Sequence, residues 1–372
     1  MKEYLNDALN LLKDFVNIDS GSSDIEDVNK FADRVEYEFR KIGIAVSRIK
    51  QRNTGDFIEC TVGRGNKKIL LLGHMDTVFP SGTAKSRPFS TKSNILLGPG
   101  VLDMKGGIVV LLYAVKNVMN RLPDGAQLSI FLNSDEEIGS KYSKDKILHM
   151  AKDAVACFSF EPAKPGTLTT ERKGIINFKI YLHGISAHSG VNYDKGKSAI
   201  EEISHKICRL YDLSDKVKDI SVNVGKLTGG NKINIVAEYA EAEAEIRYFN
   251  REDREELYKK VIDIINTNHV EGVKVNIDIL SERPPLVSHY GNKKLFQMAK
   301  TEANKLGRNI NERKTGGGGD ASFIGSEGIP VIDGLGPEGE NSHTNGEFAI
   351  IDSFPFKIEL ASQMILNIAR GY

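Results

Sequence analysis

The sequence predicts an α/β protein: a mostly parallel, doubly wound outer domain with a ferredoxin-like βαββαβ domain inserted into it. Three observations carry this expectation. First, short continuous apolar runs, KILLLG (68–73), QLSIFLN (127–133) and AVACFSF (154–160), are separated by helical patterns, which is the signature of parallel strands buried on both faces. Second, the pattern changes near Gly174 to strict alternation of apolar and polar residues, as in strands with one wet face. Third, the first pattern resumes after Arg283-Pro284-Pro285. The boundaries follow: 1–173 with 286–372 for the outer domain, and 174–285 for the inserted one.

The elements follow in order. Leu5, Leu9, Leu12 and Val16 fall on one face of a first helix, and Val28, Phe31, Ala32, Val35 and Phe39 on one face of a second. The run 68–73 is a buried strand, 107–118 a helix, and 127–133 and 154–160 further strands. In the insertion, Ile176, Phe178, Ile180 and Leu182 alternate with polar residues. A helix over 196–211, strands over 221–227 and 235–248, a helix over 252–268 and a strand over 273–279 complete the split βαββαβ order. In the second of these strands Ala240, Ala242, Ala244 and Ile246 alternate with Glu241, Glu243, Glu245 and Arg247. A strand over 328–332 and a closing helix over 355–369, with Pro355 in its first turn, end the chain.

Composition excludes several classes. At ~150 residues per domain, 372 residues predict two or three domains. With 50 Lys+Arg against 50 Asp+Glu, bulk positive charge for nucleic-acid binding is missing. The most apolar stretch, near 108–115, falls far short of the ~20 residues that cross a bilayer, so neither a nucleic-acid nor a membrane partner is expected. Cys60, Cys157 and Cys208 are odd in number and far apart, which argues against a disulfide framework or a thiolate metal site. The N-terminus opens into an amphipathic pattern without a signal-peptide core. The expected compartment is the reducing cytoplasm.

Chemistry gathers just beyond the strands of the outer domain. His74 and Asp76 follow the first strand, Asp135, Glu136 and Glu137 the second, Glu161 the third, and His343 lies on a Gly-rich loop after the last. Gly98-Pro99-Gly100-Val101-Leu102-Asp103 delivers Asp103 to the start of a helix. Ligand crevices of open α/β sheets lie beyond the carboxyl ends of the strands. Taken singly, Glu136 and Glu137 would be a solvated loop and Asp76 a turn former; their convergence at one sheet edge is what points to a site. Imidazoles and carboxylates without thiolate suit a pair of divalent metals, zinc first, with cobalt or manganese also fitting a mixed N/O site. Two ions ~3.5–4 Å apart need a bridging carboxylate. Asp103 is the expected bridge, with His74 and His343 each capping one ion and Glu137 and Glu161 completing the shells. Asp76 is placed to take the His74 N–H, and Glu136 is the spare carboxylate suited to a general base. Gly334-Leu335-Gly336-Pro337-Glu338-Gly339 matches GxGxxG literally, but Pro337 and the lack of a following helix reject a dinucleotide reading. Gly316–Gly319 lacks the Lys-Ser/Thr of a P-loop and reads instead as backbone that approaches a ligand closely.

Eight motifs in register then resemble a known family, the co-catalytic zinc peptidases and amidohydrolases that include glutamate carboxypeptidase, aminoacylase, acetylornithine deacetylase and succinyl-diaminopimelate desuccinylase. They are GHMDTVFP (73–80), GPGVLDMKGG (98–107), NSDEEIGS (133–140), FEPA (160–163), SAHSG (186–190), NIVAEYAEAEAEIR (234–247), TGGGGDAS (315–322) and NSHTNGE (341–347). HMDTVFP and ERKTGGGGDAS are most similar to the glutamate-carboxypeptidase branch. The resemblance implies that His74, Asp103, Glu137, Glu161 and His343 are the metal ligands, with Asp103 bridging. Asp76 then orients the first histidine and Glu136 is the catalytic base. It further implies that His188, from the inserted lid domain of a homodimer partner, helps hold the oxyanion, that Arg247 and Asn234 contact substrate, and that the Asp103–Met104 peptide is cis. Ala237, where many members carry Pro, is a departure. The implied activity is hydrolysis of an amide bond next to a free carboxylate, carboxypeptidase-like, on a small peptide or N-acyl amino acid. An N-acyl amino acid deacetylase or desuccinylase, a di/tripeptidase, and a metal-binding dimeric module without turnover are the alternatives.

Overall fold

The computed structural model describes residues 4–371. The chain divides into two compact units, one of residues 1–171, 288–315 and 319–372, the other of 172–287 with 316–318.

The first unit is built on a six-stranded sheet with spatial order 46–49, 57–63, 126–133, 67–74, 154–159 and 331–332. Its last four strands pair in parallel and its first two antiparallel. Ile69 and Leu71 belong to the main core, while Leu70 and Leu72, on the opposite face by the strand period of two, are buried as well. Two covered faces explain why this strand reads as one apolar run.

Within the helix Lys105–Val118 the run 108–115 is continuously apolar because the helix packs against both Leu5–Val16 and Ser353–Arg370. Its first eleven residues, Lys105 included, are all buried. The helix Ile25–Lys41 begins at Asp24, whose side chain accepts the Asp27 N–H at 3.1 Å and so caps it.

Several elements left no trace in the sequence pattern, the helices Lys144–Ala151 and Tyr290–Lys305 among them. Strands Val46–Ile49 and Phe57–Gly63 extend the sheet antiparallel. A separate four-stranded sheet joins 339–340, 348–350, 95–97 and 90–92, and a two-stranded one joins 167–172 and 311–315. Most of these strands hold too few residues to establish a period.

The second unit has the element order strand 174–183, helix 199–211, strands 221–229 and 239–248, helix 251–266 and strand 274–283. Its antiparallel sheet runs 221–229, 239–248, 174–183, 274–283. Ile176, Phe178, Ile180 and Leu182 share a core with Ala240, Ala242, Ala244 and Ile246 and with both helices. The expected strand over 235–248 starts at Tyr239 instead. Val236 donates its N–H to Ala187 O at 2.9 Å, and Ala199 donates to Ala237 O at 2.8 Å, so 235–237 is engaged elsewhere. No helix among the described residues is long and apolar enough to cross a membrane.

Candidate metal centre

The sequence-predicted ligands converge on the carboxyl edge of the main sheet. His74 is the last residue of its strand. Glu136 and Glu137 form a single tight turn, 136–138, after the strand 126–133. Glu161 follows the strand 154–159 closely. Asp103 stands at the entrance to the helix 105–118, and the Asp103–Met104 peptide is cis, as the resemblance implied. His343 comes from the loop between strands 339–340 and 348–350, with φ at 66°, in the left-handed region.

Two triads share Asp103: His74, Asp103 and Glu161 on one side, Asp103, Glu137 and His343 on the other, each with its ligand atoms within 4.8 Å of one another. On the first side His74 Nε2 lies 3.2 Å from Asp103 Oδ1 and 3.6 Å from Glu161 Oε1. On the second, His343 Nε2 lies 3.3 Å from Asp103 Oδ2 and 3.1 Å from Glu137 Oε2. The two oxygens of one carboxylate therefore face opposite histidines.

The donor set fits a pair of divalent cations. Three carboxylates and two imidazoles meet with no thiol among them, and Glu137 Oε1 is buried without a hydrogen-bond partner, which costs free energy unless a cation satisfies it. Electrostatics point the same way. Burial pushes Glu137 up to about 8, with the charges of Asp103 and Glu136 adding to the rise against the His343 contact. Hydrogen bonds to Asp103 and Glu137 push His343 up to about 11. Burial opposes charge on His74, but Glu161, Asp103 and Asp76 together hold it well above the usual imidazole range. Asp103 is held low by the two histidines despite its burial. A cluster that raises both its imidazoles so far carries surplus negative potential, which is what attracts divalent ions.

A supporting layer fixes these ligands. His74 Nδ1 is 2.9 Å from the backbone carbonyl of Asp76 and 3.4 Å from its carboxylate, so the nearer acceptor is the main chain. The Asp76 carboxylate instead accepts N–H groups from Glu136 at 3.2 Å and Glu137 at 3.1 Å, and the Ser22 hydroxyl at 2.7 Å. Burial raises its pKa, but His74, Ser22 and the Glu137 N–H outweigh it and hold the carboxyl below the usual range. Asp320 accepts from Asn133 Nδ2 at 2.6 Å and from the Ser140 hydroxyl, bracing the turn from its other end. Lys105, fully buried, donates to Ile18 O at 2.6 Å and lies 5.0 Å above the Phe31 ring centroid. Ser22, Lys105, Asp320 and Glu347 are functional neighbours that the sequence does not single out. The last three stand inside quoted motifs, but nothing in residue type or spacing separates them from surface polar residues.

His188, Asn234 and Arg247 belong to the second unit. Ser189 donates its N–H to Asn234 O at 3.1 Å, which sets the His188 loop beside Asn234. His188 Nδ1 accepts the Gly190 N–H at 3.1 Å, so a neutral ring carries its proton on Nε2. Arg247 binds Glu245 through Nε at 2.8 Å and Nη2 at 2.9 Å, and Nη1 donates to Gly316 O at 2.7 Å. Of the five N–H groups of a guanidinium, one on each terminal nitrogen is left for another acceptor. The Gly-rich tract offers carbonyls to arginines: besides Gly316 O, Gly317 O and Gly318 O accept from Arg172 Nη1 at 3.3 and 2.7 Å. In GLGPEG the glycines serve close packing, since a Cβ at Gly336 would lie 2.3 Å from Phe160 O.

Comparison with known proteins agrees with this architecture. The model of peptidase family M20/M25/M40 matches residues 70–367. Carboxypeptidase G2 of Pseudomonas sp. (strain RS-16) is 31% identical over 98% of this chain and 90% of its own length. Succinyl-diaminopimelate desuccinylase of Ehrlichia canis is 28% identical over 78% of this chain and 80% of its own. Among solved structures, the M20 family metallo-carboxypeptidase Sso-CP2 of Sulfolobus solfataricus has the same fold, with a TM-score of 0.77, 17% identity and full coverage of both chains. A family match across most of the chain, on a fold that brings the histidines and carboxylates of its motifs to one edge, makes this protein a member of the M20/M25/M40 peptidase family and a metallopeptidase-type enzyme.

Proposed function

We propose that this chain is a two-metal hydrolase that removes a C-terminal residue such as glutamate from a small peptide or N-acyl amino acid, cutting an amide bond next to a free carboxylate. The observation that carries it is Asp103, with Oδ1 turned to His74 and Oδ2 to His343. When bound, two divalent ions, zinc by ligand type with cobalt or manganese also suited, supply Lewis acidity toward the scissile carbonyl and lower the pKa of water. His74 and Glu161 would hold one ion and Glu137 and His343 the other, with Asp103 serving both. Glu136, half-buried and anchored through its N–H to Asp76, takes the proton of the attacking water and returns it to the leaving amine.

His188 donates from Nε2 to the tetrahedral oxyanion, a role its Gly190 contact supports. Arg247 clamps the substrate carboxylate with its two remaining N–H groups, and Asn234 lies beside the His188 loop in the same substrate-binding role. The inserted unit, 174–285 by the sequence boundaries, serves as lid and homodimer interface. Exposed Val191, Tyr193, Leu227 and Ile233 on it support self-association. Three unpaired cysteines, two of them buried, support a reducing cytoplasmic setting.

The test is hydrolysis of a panel (N-acyl glutamates, other N-acyl amino acids, N-succinyl amines, di- and tripeptides) by protein of known metal content, with Glu136→Gln alongside. Preferred release of a C-terminal glutamate, lost in a Glu136→Gln variant that keeps its metal, supports the proposal. Preference for N-succinyl or N-acetyl substrates assigns a deacylase, preference for short peptides with a free amine a peptidase, and metal binding without turnover a binding module.

A further inference from the structure

Glu347 is completely buried, and the metal site as described gives it no task. It lies four residues after His343. The strand that follows it, 348–350, pairs with 95–97 in the register Phe348 opposite Leu97. That register sets Glu347 beside the Gly98–Asp103 loop. Its Oε1 accepts the N–H groups of Leu102 at 2.8 Å and Asp103 at 3.0 Å, and its Oε2 the N–H of Gly100 at 3.3 Å.

The loop has little hold on itself. Gly98 and Gly100 sit at φ of 145° and 71°, and a Cβ at Gly98 would come within 2.3 Å of Val16 Cγ1. Its backbone bonds within the chain segment are Val101 N to Gly98 O at 3.3 Å and Lys105 N to Gly100 O at 2.9 Å. Three amides of the loop that carries Asp103, those of Gly100 and Leu102 buried, are thus satisfied by one carboxylate from the segment that carries His343.

We propose that Glu347 is a positioning residue that fixes Asp103 against His343, so that the cation held by Asp103, Glu137 and His343 depends on it more than the cation held by His74, Asp103 and Glu161. The asymmetry follows from connectivity. His74 and Glu161 leave from strands 67–74 and 154–159 of the main sheet, whereas the hydrogen bonds of Glu347 go to the Asp103 loop. His343 and Asp103 sit on two loops, and Glu347 ties one to the other. The inference rests on the two-metal reading above.

The experiment strips the full-length protein with chelator and titrates it with Co2+, following heat and the visible d–d bands, for wild type, Glu347→Gln and Glu347→Ala. In Gln, Oε1 still accepts from Leu102 and Asp103 while the amide NH2 confronts the Gly100 N–H; in Ala all three bonds are lost. Two equivalents bind wild type. In the variants the first equivalent is nearly unchanged. The second is weakened by roughly 10–100-fold, less in Gln than in Ala, and its d–d bands shift. Circular dichroism of the stripped proteins identifies folded variants, and Gln alone decides if Ala does not fold. Equal weakening of both equivalents, or an unchanged second equivalent in folded Gln, overturns the proposal while leaving the two-metal reading intact. A single equivalent in wild type overturns that reading, and the proposal with it.

Discussion

Replacing Asp76 with Asn tests what one buried carboxylate contributes to stability and to the proposed catalysis. The side chain is wholly inaccessible to solvent. Oδ1 accepts the Glu136 N–H at 3.2 Å and faces His74 Nδ1 at 3.4 Å, while Oδ2 accepts from Glu137 N at 3.1 Å and Ser22 Oγ at 2.7 Å. An amide has one acceptor oxygen. With that oxygen at the Oδ2 position, the NH2 group meets the Glu136 N–H donor against donor. One buried N–H left unpaired costs about 1–3 kcal/mol, and exchanging a charged acceptor for a neutral one about 1 more. The expected loss is therefore about 2–4 kcal/mol, or about 5–15 °C in the melting midpoint of the first unit. The freed turn carries Glu136, the proposed base, and misplacement by about 1 Å costs roughly 100-fold in rate. Thermal melts followed by circular dichroism and steady-state kinetics at saturating metal measure both. A variant that melts within about 2 °C of wild type and keeps its kcat refutes the reasoning.

Other outcomes follow from the same geometry. In the second unit, buried Lys206 and Glu202 pair at 2.9 Å; Lys206 also donates to the carbonyls of Ile264, Ile265 and Thr267, and Glu202 accepts from His269 N and Val270 N. Breaking such a pair costs about 3–5 kcal/mol, so Glu202→Gln lowers the urea midpoint of that unit. Burial raises the Glu202 pKa, but the Val270 N–H and Lys206 bring it below its ordinary value. Its stabilisation is therefore present above the unfolded value of about 4.3 and lost as pH falls through the folded one; the gap between wild type and Gln closes in acid, and a gap independent of pH contradicts the ion pair's role. Arg247→Lys raises KM for carboxylate-bearing substrates about 10–100-fold with a smaller change in kcat, and leaves C-terminal amides unaffected; equal loss on both removes Arg247 from carboxylate recognition. His188→Ala lowers kcat about 100–1000-fold, and mixing it with Glu136→Gln restores part of the activity when sites are shared between subunits; no recovery contradicts sharing.

Much of this was legible in the chain because burial leaves a periodic trace. Ile69–Leu72 read as a strand since both its faces are covered, and Ile176–Leu182 as a half-wet strand since one is not. The clustering of His74, Asp103, Glu137, Glu161 and His343 was legible because most of them lie at or just beyond a strand end and all are of residue types that bind metal. The short strands 90–92, 95–97, 339–340 and 348–350 left no period to read, and with them went the register that brings Glu347 to the Asp103 loop. Asp76 was expected to serve His74 through its carboxylate; spacing along the chain cannot reveal that its oxygens accept the amides of Glu136 and Glu137, which arrive from another strand. Arg247 was expected from the motif to bind a substrate carboxylate, whereas its bidentate grip on Glu245 depends on both side chains sharing one face of the strand 239–248.

The most direct measurement is anomalous diffraction from crystals grown with zinc, recorded above and below the zinc edge. The account expects two peaks ~3.5–4 Å apart, one against His74 and Glu161, the other against Glu137 and His343, with a carboxylate oxygen of Asp103 on each. A single peak, or two that Asp103 does not join, contradicts it.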